Sequence, residues 1–169
     1  MLVVADTSPL NYLVWIQQDT LLPILYDRVV IPPAVSEELQ RPETPHVVRQ
    51  WVAHPPGWLT IQPPQQPLSG QLLLRLDDGE LEAIPLAREL HADRLLIDER
   101  GGRRVARARG LIVIGTLGVL ETAAIRGLID LPTVLAQLQA TTFYASQRLY
   151  DEVLARDAAR KANPPTDGR

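Results

Sequence analysis

Cysteine is absent from this 169-residue chain. That excludes a disulfide framework, a thiolate metal site and a cysteine nucleophile. No apolar run approaches the roughly 18 residues that a membrane-spanning helix needs. The opening Met1-Leu2-Val3-Val4-Ala5-Asp6 lacks the basic lead-in and long apolar stretch of a signal peptide, and it carries an acid. The expectation is a soluble, cytoplasmic protein with no membrane partner. Lysine is almost missing: Lys161 is the only one, so nearly all basic charge is arginine. A net charge of −3 runs against the basic bias of most nucleic-acid binders. A nuclease is a partial exception, because bound cations offset its acidic site. A Gly-rich turn after the first apolar run is also missing. Asp6-Thr7-Ser8-Pro9 stands there instead, which disfavours a dinucleotide-binding fold. A phosphotransfer receiver domain is disfavoured in turn, since it needs a lysine near its acids and Lys161 lies in the tail region.

What is present fits one hydrophobic core. The length and the 46% hydrophobic fraction suit a single domain, read as residues 1–162, with a polar, flexible tail over 163–169. Leu2 to Ala5 reads as a buried parallel strand. Thr7, Ser8 and Pro9 then open a helix carrying Leu10, Leu13, Val14 and Ile16. A second strand is expected at Arg28 to Ile31, a helix from Pro32 and Pro33 through Leu39, and another from His46 to Ala53. Pro55 to Pro67 reads as an irregular connection with a short strand at Leu59 to Ile61. Strands at Arg94–Ile97 and Leu111–Ile114 alternate with helices at Gly79–His91, Gly102–Arg109 and Leu117–Arg126. Leu131 to Lys161 reads as two more helices. Alternation of this kind implies an α/β fold, a three-layer α/β/α sandwich around a parallel sheet.

Ligands in such folds bind beyond the carboxyl ends of the strands. Asp6 and Asp98 each fall at such an end. Either one taken singly is explained as well by capping the helix that follows. Two acids at two strand ends favour a shared site. At about 100° per residue, Glu80 shares a helix face with Ile84 and Ala87, whereas Glu82 points away, toward solvent. An acid on an apolar face needs a partner, although Glu80 can also simply complement the helix dipole. On the helix around Val35, Glu38 lies nearer the buried stripe and Glu37 is a surface acid. Four acids, Asp6, Glu38, Glu80 and Asp98, are thus placed where they can converge. Oxygen donors of this kind suit Mg2+ or Mn2+. A cation held there can activate water and neutralise charge on a phosphodiester. Thr7, Ser8 and Thr116 can add hydroxyl contacts or act as caps.

After Asp98 come Arg100, Arg103, Arg104, Arg107 and Arg109. The first four share one helix face. They read either as a solvated face paired with acids or as a phosphate-binding surface, with Arg103 the best single anchor and Arg100 beside it. The three histidines show no metal-ligand spacing, and His91 is explained by a helix C-terminus. The tryptophans read as core or interface residues.

Together these segments carry a resemblance. Val4-Ala5-Asp6-Thr7-Ser8-Pro9-Leu10, Ile31-Pro32-Pro33-Ala34-Val35-Ser36-Glu37-Glu38-Leu39, Gly79-Glu80-Leu81-Glu82-Ala83-Ile84, Leu96-Ile97-Asp98-Glu99-Arg100 and Gly115-Thr116-Leu117-Gly118-Val119-Leu120 resemble the motifs of the PIN-domain superfamily. Within it they resemble the group of PIN-like proteins close to VapC-type toxins. The resemblance implies a ribonuclease dependent on Mg2+ or Mn2+, with Asp6, Glu38, Glu80 and Asp98 as catalytic metal ligands. Ser8, Arg100, Arg103 and Thr116 are the expected substrate contacts. It also implies a homodimer acting on RNA, and a small antitoxin protein that blocks the site. Glu80 stands where many members have Asp, and Glu99 is an extra candidate ligand. The alternative is a non-catalytic module of the same fold that binds RNA or a protein partner.

Overall fold

The computed structural model describes residues 1–66, 68 and 76–163, which fall into two compact units, Met1–Thr116 and Leu117–Arg169. In chain order the elements of the first unit are β1 (Leu2–Ala5), α1 (Thr7–Trp15), α2 (Leu21–Leu25), β2 (Arg28–Ile31), α3 (Pro33–Leu39), α4 (His46–Ala53), β3 (Leu59–Ile61), α5 (Asp78–Glu89), β4 (Arg94–Leu96), α6 (Arg100–Ala108) and β5 (Val113–Ile114). The strands form one parallel sheet in the order β3-β2-β1-β4-β5. The fold is therefore α/β with a central parallel sheet, of the α/β/α kind the alternating pattern implies. Chain order reverses direction at β1 and β4, which makes the crevice beyond their carboxyl ends the switch point where ligands bind in such sheets.

The strands are short and apolar because both faces are covered. Val3, Val4 and Ala5 of β1 and Val29, Val30 and Ile31 of β2 are all buried. Val4, Val30 and Leu95 pack with Ile84 and Ala87 of α5 and Val105 and Ala106 of α6 into one core cluster. Pairing continues one residue past β1, where the Asp6 N–H donates to Leu96 O at 2.9 Å, and past β4, where the Ile97 N–H donates to Ile114 O at 2.9 Å. Backbone bonds thereby bring Asp6 and the segment entering Asp98 side by side.

Several boundaries differ from the sequence reading. Helix α2 was not anticipated, since five residues give too little periodicity to read. Strand β4 stops at Leu96 and β5 is confined to Val113–Ile114. Helix α6 starts two residues early, at Arg100. Helix α5 ends at Glu89, where the N–H groups of His91 and Ala92 donate to Arg88 O and Ala87 O at 3.1 and 2.9 Å. This Schellman closure requires a left-handed residue, and His91 takes it at φ 48°. His91 is thus the helix stop rather than a charge on the last turn. At the end of α6, Gly110 fills the same role at φ 81°.

The second unit holds α7 (Thr116–Ile125, its first residue belonging to the first unit), α8 (Leu131–Gln139) and α9 (Gln147–Ala162). Asp130 and Ser146 cap α8 and α9 through the amides of Thr133 and Leu149. Buried Asp157 is neutralised by Arg160 at 2.6 Å and Lys161 at 2.8 Å. Among the described residues no helix is long and apolar enough to cross a membrane. Pro67 of the expected connection and residues 164–169 of the expected tail lie outside the described residues.

Candidate active site

Asp6 ends β1 and occupies the N-cap of α1, yet its side chain makes no capping bond. Capping does not account for it. Asp6 is 1% exposed, and its Oδ1 is buried with no hydrogen-bond partner among the described residues. Burial pushes its carboxyl well above the ordinary range, and the charges of Asp77, Glu80 and Glu38 push it the same way.

Glu38 comes to the same place from α3. Its Oε1 accepts the Gly79 N–H at 2.9 Å, and its Oε2 accepts the Thr7 hydroxyl. Gly79 forms the floor of the pair: a methyl group there would stand 2.9 Å from Asp6 Oδ1, Glu38 Oε2 and Thr7 Oγ1 alike. Only glycine leaves room for the two carboxylates and the hydroxyl. Glu37 is exposed, as its helix phase requires.

Glu80 is buried at the start of α5 in a capping box with Asp77. Asp77 Oδ1 accepts the Glu80 N–H at 2.8 Å, and Glu80 Oε2 accepts the Asp77 N–H at 3.3 Å. Its remaining oxygen, Oε1, is buried and unpaired, and lies against Gly102 in the first turn of α6. Burial and then the Asp77 charge raise its carboxyl to about 7. The Asp77 amide offsets part of this, as does the Gly102 amide, which lies close to the carboxyl without forming a well-aligned hydrogen bond.

Asp98 is oriented differently. Oδ1 accepts the Thr116 N–H at 2.7 Å, and Oδ2 accepts the Thr116 and Ser8 hydroxyls at 2.7 and 3.0 Å. It does not cap α6. Gly115 lies in contact with it, since a methyl there would stand 2.7 Å from Asp98 Oδ1 and 2.8 Å from Arg103 Nη1. Arg103 turns inward, its Nη1 donating to Ile97 O at 3.0 Å. Burial first, and then the Arg107 charge, lower its pKa below the usual guanidinium range.

Leu76, Arg100, Arg103, Arg104, Val105 and Arg107 line a cleft of about 740 Å³ along α6. Among the described residues Arg100, Arg104 and Arg107 pair with no acid. The reading of this face as an array of surface ion pairs is therefore not supported.

The fold thus brings Asp6 and Glu38 together over Gly79, sets the Glu80 charge beside them, and holds Asp98 in a hydroxyl cradle of its own. Among the described residues no three acidic or histidine side chains stand, as placed, around one point at metal-binding distance. Three of the carboxylates instead rest on backbone amides at or near helix starts: Glu38 on Gly79, Glu80 on Asp77, and Asp98 on Thr116. The donor set still fits a hard divalent cation in kind. It is all oxygen, with Asp6, Glu38 and Glu80 buried and Asp98 half-buried, and among the described residues it leaves two carboxylate oxygens, Asp6 Oδ1 and Glu80 Oε1, without hydrogen bonds.

Sequence reasoning missed Asp77, the charge that bears most on the Asp6 carboxyl, although an acid three residues before Glu80 is a readable capping-box signal. It also missed Gly79 and Gly102, whose roles depend on contacts remote in sequence. Glu99 is exposed and makes no capping bond, and its charge also raises the Glu80 carboxyl. Glu82 requires a correction. It was expected to face solvent, but it is half-buried and accepts the Ala34 N–H at 3.0 Å. It does point away from the Glu80 face, but helix α3 covers that side.

No curated protein matches the chain. Among solved structures it is similar to a PilT N-terminus domain protein from the hyperthermophilic archaeon Sulfolobus solfataricus P2, at 16% identity and a TM-score of 0.47, over 86% of this chain and 100% of that one. A family model for the PIN domain matches residues 2–158, a span that includes all four acids, and the chain belongs to the PIN domain family.

Proposed function

We propose that this chain is a metal-dependent ribonuclease that hydrolyses RNA phosphodiester bonds with Mg2+ or Mn2+. The observation that carries this reading is Asp6 Oδ1: a buried, unpaired carboxylate oxygen within the charge of Asp77, Glu80 and Glu38. Such a group is costly to bury alone, and a cation offsets the cost. Membership of the PIN domain family supports nuclease chemistry in general. Arg100, Arg104 and Arg107, which pair with no acid among the described residues, support a polyanionic substrate.

Asp6, Glu38, Glu80 and Asp98 are the residues that would hold the metal. Bound there, it would supply Lewis acidity and an activated water. The chain's own groups prepare the rest. Thr7 and Gly79 fix the rotamer of Glu38, and Ser8 and Thr116 fix that of Asp98. Arg100 and Arg103 lie next to Asp98 along α6, placed to hold phosphates flanking the bond to be cut. The likeness of its motifs to VapC-type toxins supports a finer reading, in which the protein is a homodimeric toxin countered by a small antitoxin.

One observation favours a second reading, a non-catalytic module that binds RNA or a protein. Three carboxylates already serve as acceptors for backbone amides at or near helix starts. Purified protein incubated with a mixed RNA pool in Mn2+, Mg2+ or EDTA, beside Asp6→Asn, separates the two. Metal-dependent cleavage lost in the variant is the expected result. Absence of both cleavage and calorimetric metal binding would establish the second reading.

A further inference from the structure

The helices that carry Glu38 and Glu80 also exchange hydrogen bonds near their N-termini. Helix α3 opens on Pro32 and Pro33, so its N-cap offers no side-chain acceptor and its first residue has no N–H. The first amide needing a partner is that of Ala34, which donates to Glu82 Oε2 at 3.0 Å. In return the Gly79 amide, in the first turn of α5, donates to Glu38 Oε1 at 2.9 Å. Ala34 and Glu38 are about one turn apart on α3, as are Gly79 and Glu82 on α5. The early residue of each helix pairs with the later residue of the other, so two bonds at two levels tie oppositely running helices. The acids whose charge bears most on Asp6 are Asp77, Glu80 and Glu38, not Glu82.

We propose that Glu82 is a positioning residue for Glu38. By holding the Ala34 amide it sets α3 against α5, and Glu38 then reaches Gly79 and Thr7 beside Asp6. Its consequence for metal binding rests on the metal-centre reading above, but its effect on Glu38 does not.

Residue-resolved amide hydrogen exchange of the metal-free protein is the primary test. In Glu82→Ala the Gly79 amide is expected to exchange on the order of fivefold faster relative to the rest of the core, the equivalent of about one hydrogen bond. Glu82→Gln retains an oxygen that accepts the Ala34 N–H and is expected to restore protection. Glu82→Asp keeps the charge but is one methylene short, and is expected to behave like Glu82→Ala; it serves if the alanine variant does not fold. Titration with Mn2+ alone is expected to follow the same order, weaker for Ala and Asp and near the parent for Gln. Unchanged Gly79 protection in both Glu82→Ala and Glu82→Asp overturns the proposal. Equal loss in Ala and Gln overturns it as well, because the charge rather than the Ala34 bond would then be responsible. A parent protein that binds no Mn2+ removes the metal-centre reading, while the exchange measurement still decides the role of Glu82.

Discussion

Gly102 and Glu80 are packed so closely that a methyl group on Gly102 would stand 2.1 Å from Glu80 Oε1. The carboxylate lies against the first turn of α6, where the positive end of a helix dipole favours it. Gly102→Ala is expected to displace Glu80 or shift α6, with a loss of about 1–3 kcal/mol. The urea midpoint measures this, and an unchanged midpoint would mean that the two groups do not meet.

Glu80 also sets a pH dependence. Its carboxyl is raised from 4.5 to about 7 in the folded chain. The folded state holds the proton more tightly than the unfolded state, so stability is highest below about 4.5 and falls as pH climbs to about 7. Screening by solvent limits the loss to about 1–2 kcal/mol. Glu80→Gln is expected to flatten this part of the stability–pH curve. The shift of Asp6, in the same direction, keeps its larger causes, burial and the Asp77 charge, in the variant and loses only the Glu80 contribution. Chemical denaturation across this pH range tests it, and an unchanged slope in Glu80→Gln would exclude Glu80 as the source.

Metal binding follows with the opposite sign. A cation requires ionised carboxylates, so Mn2+ is expected to release protons and to bind more tightly as pH rises through about 7. At a hundredfold excess over its dissociation constant it adds about 2.7 kcal/mol of stability. Thermal unfolding with and without Mn2+ reads this directly, and Asp6→Asn is expected to remove most of the shift. No shift at any pH would support the binding-module reading.

The arginine cleft predicts behaviour that needs no metal. In EDTA, Arg104→Ala and Arg107→Ala are each expected to weaken binding of a single-stranded RNA. Each should reduce the salt slope by about 0.7 if it removes one phosphate contact. Fluorescence anisotropy against salt concentration gives the slope. Slopes equal to that of the parent would place RNA elsewhere.

Asp98→Asn keeps an oxygen for the Thr116 N–H, and the hydroxyls of Thr116 and Ser8 can turn to accept from the new amide. Its stability cost is expected to stay under about 1 kcal/mol, whereas Asp98→Ala leaves polar partners unsatisfied and costs about 1–3 kcal/mol. Cleavage is expected to vanish in both. If Asp98→Asn cut RNA as the parent does, Asp98 would not belong to the metal site.

The strands β1 and β2 were legible to the residue because a buried parallel strand is an unbroken apolar run, and Asp6 was legible as the residue that ends one. Glu38 was separated from Glu37 by helix phase, since adjacent residues on a helix face directions about 100° apart. The same phase argument misread Glu82. Periodicity shows which way a side chain points relative to its own helix, and says nothing of which neighbour covers that side.

The sequence by itself determined where strands end and which acids lie at those ends, because these follow from local periodicity and from the alternation of apolar runs. Only the tertiary structure decided what each carboxylate oxygen touches. Gly79 as the floor beneath Asp6 and Glu38, Gly102 against Glu80, Thr116 on Asp98 and the exchanged bonds between α3 and α5 join residues far apart in the chain. A hydrogen bond forms only when donor and acceptor come within about 3 Å, and that distance is set by how the helices pack on the sheet.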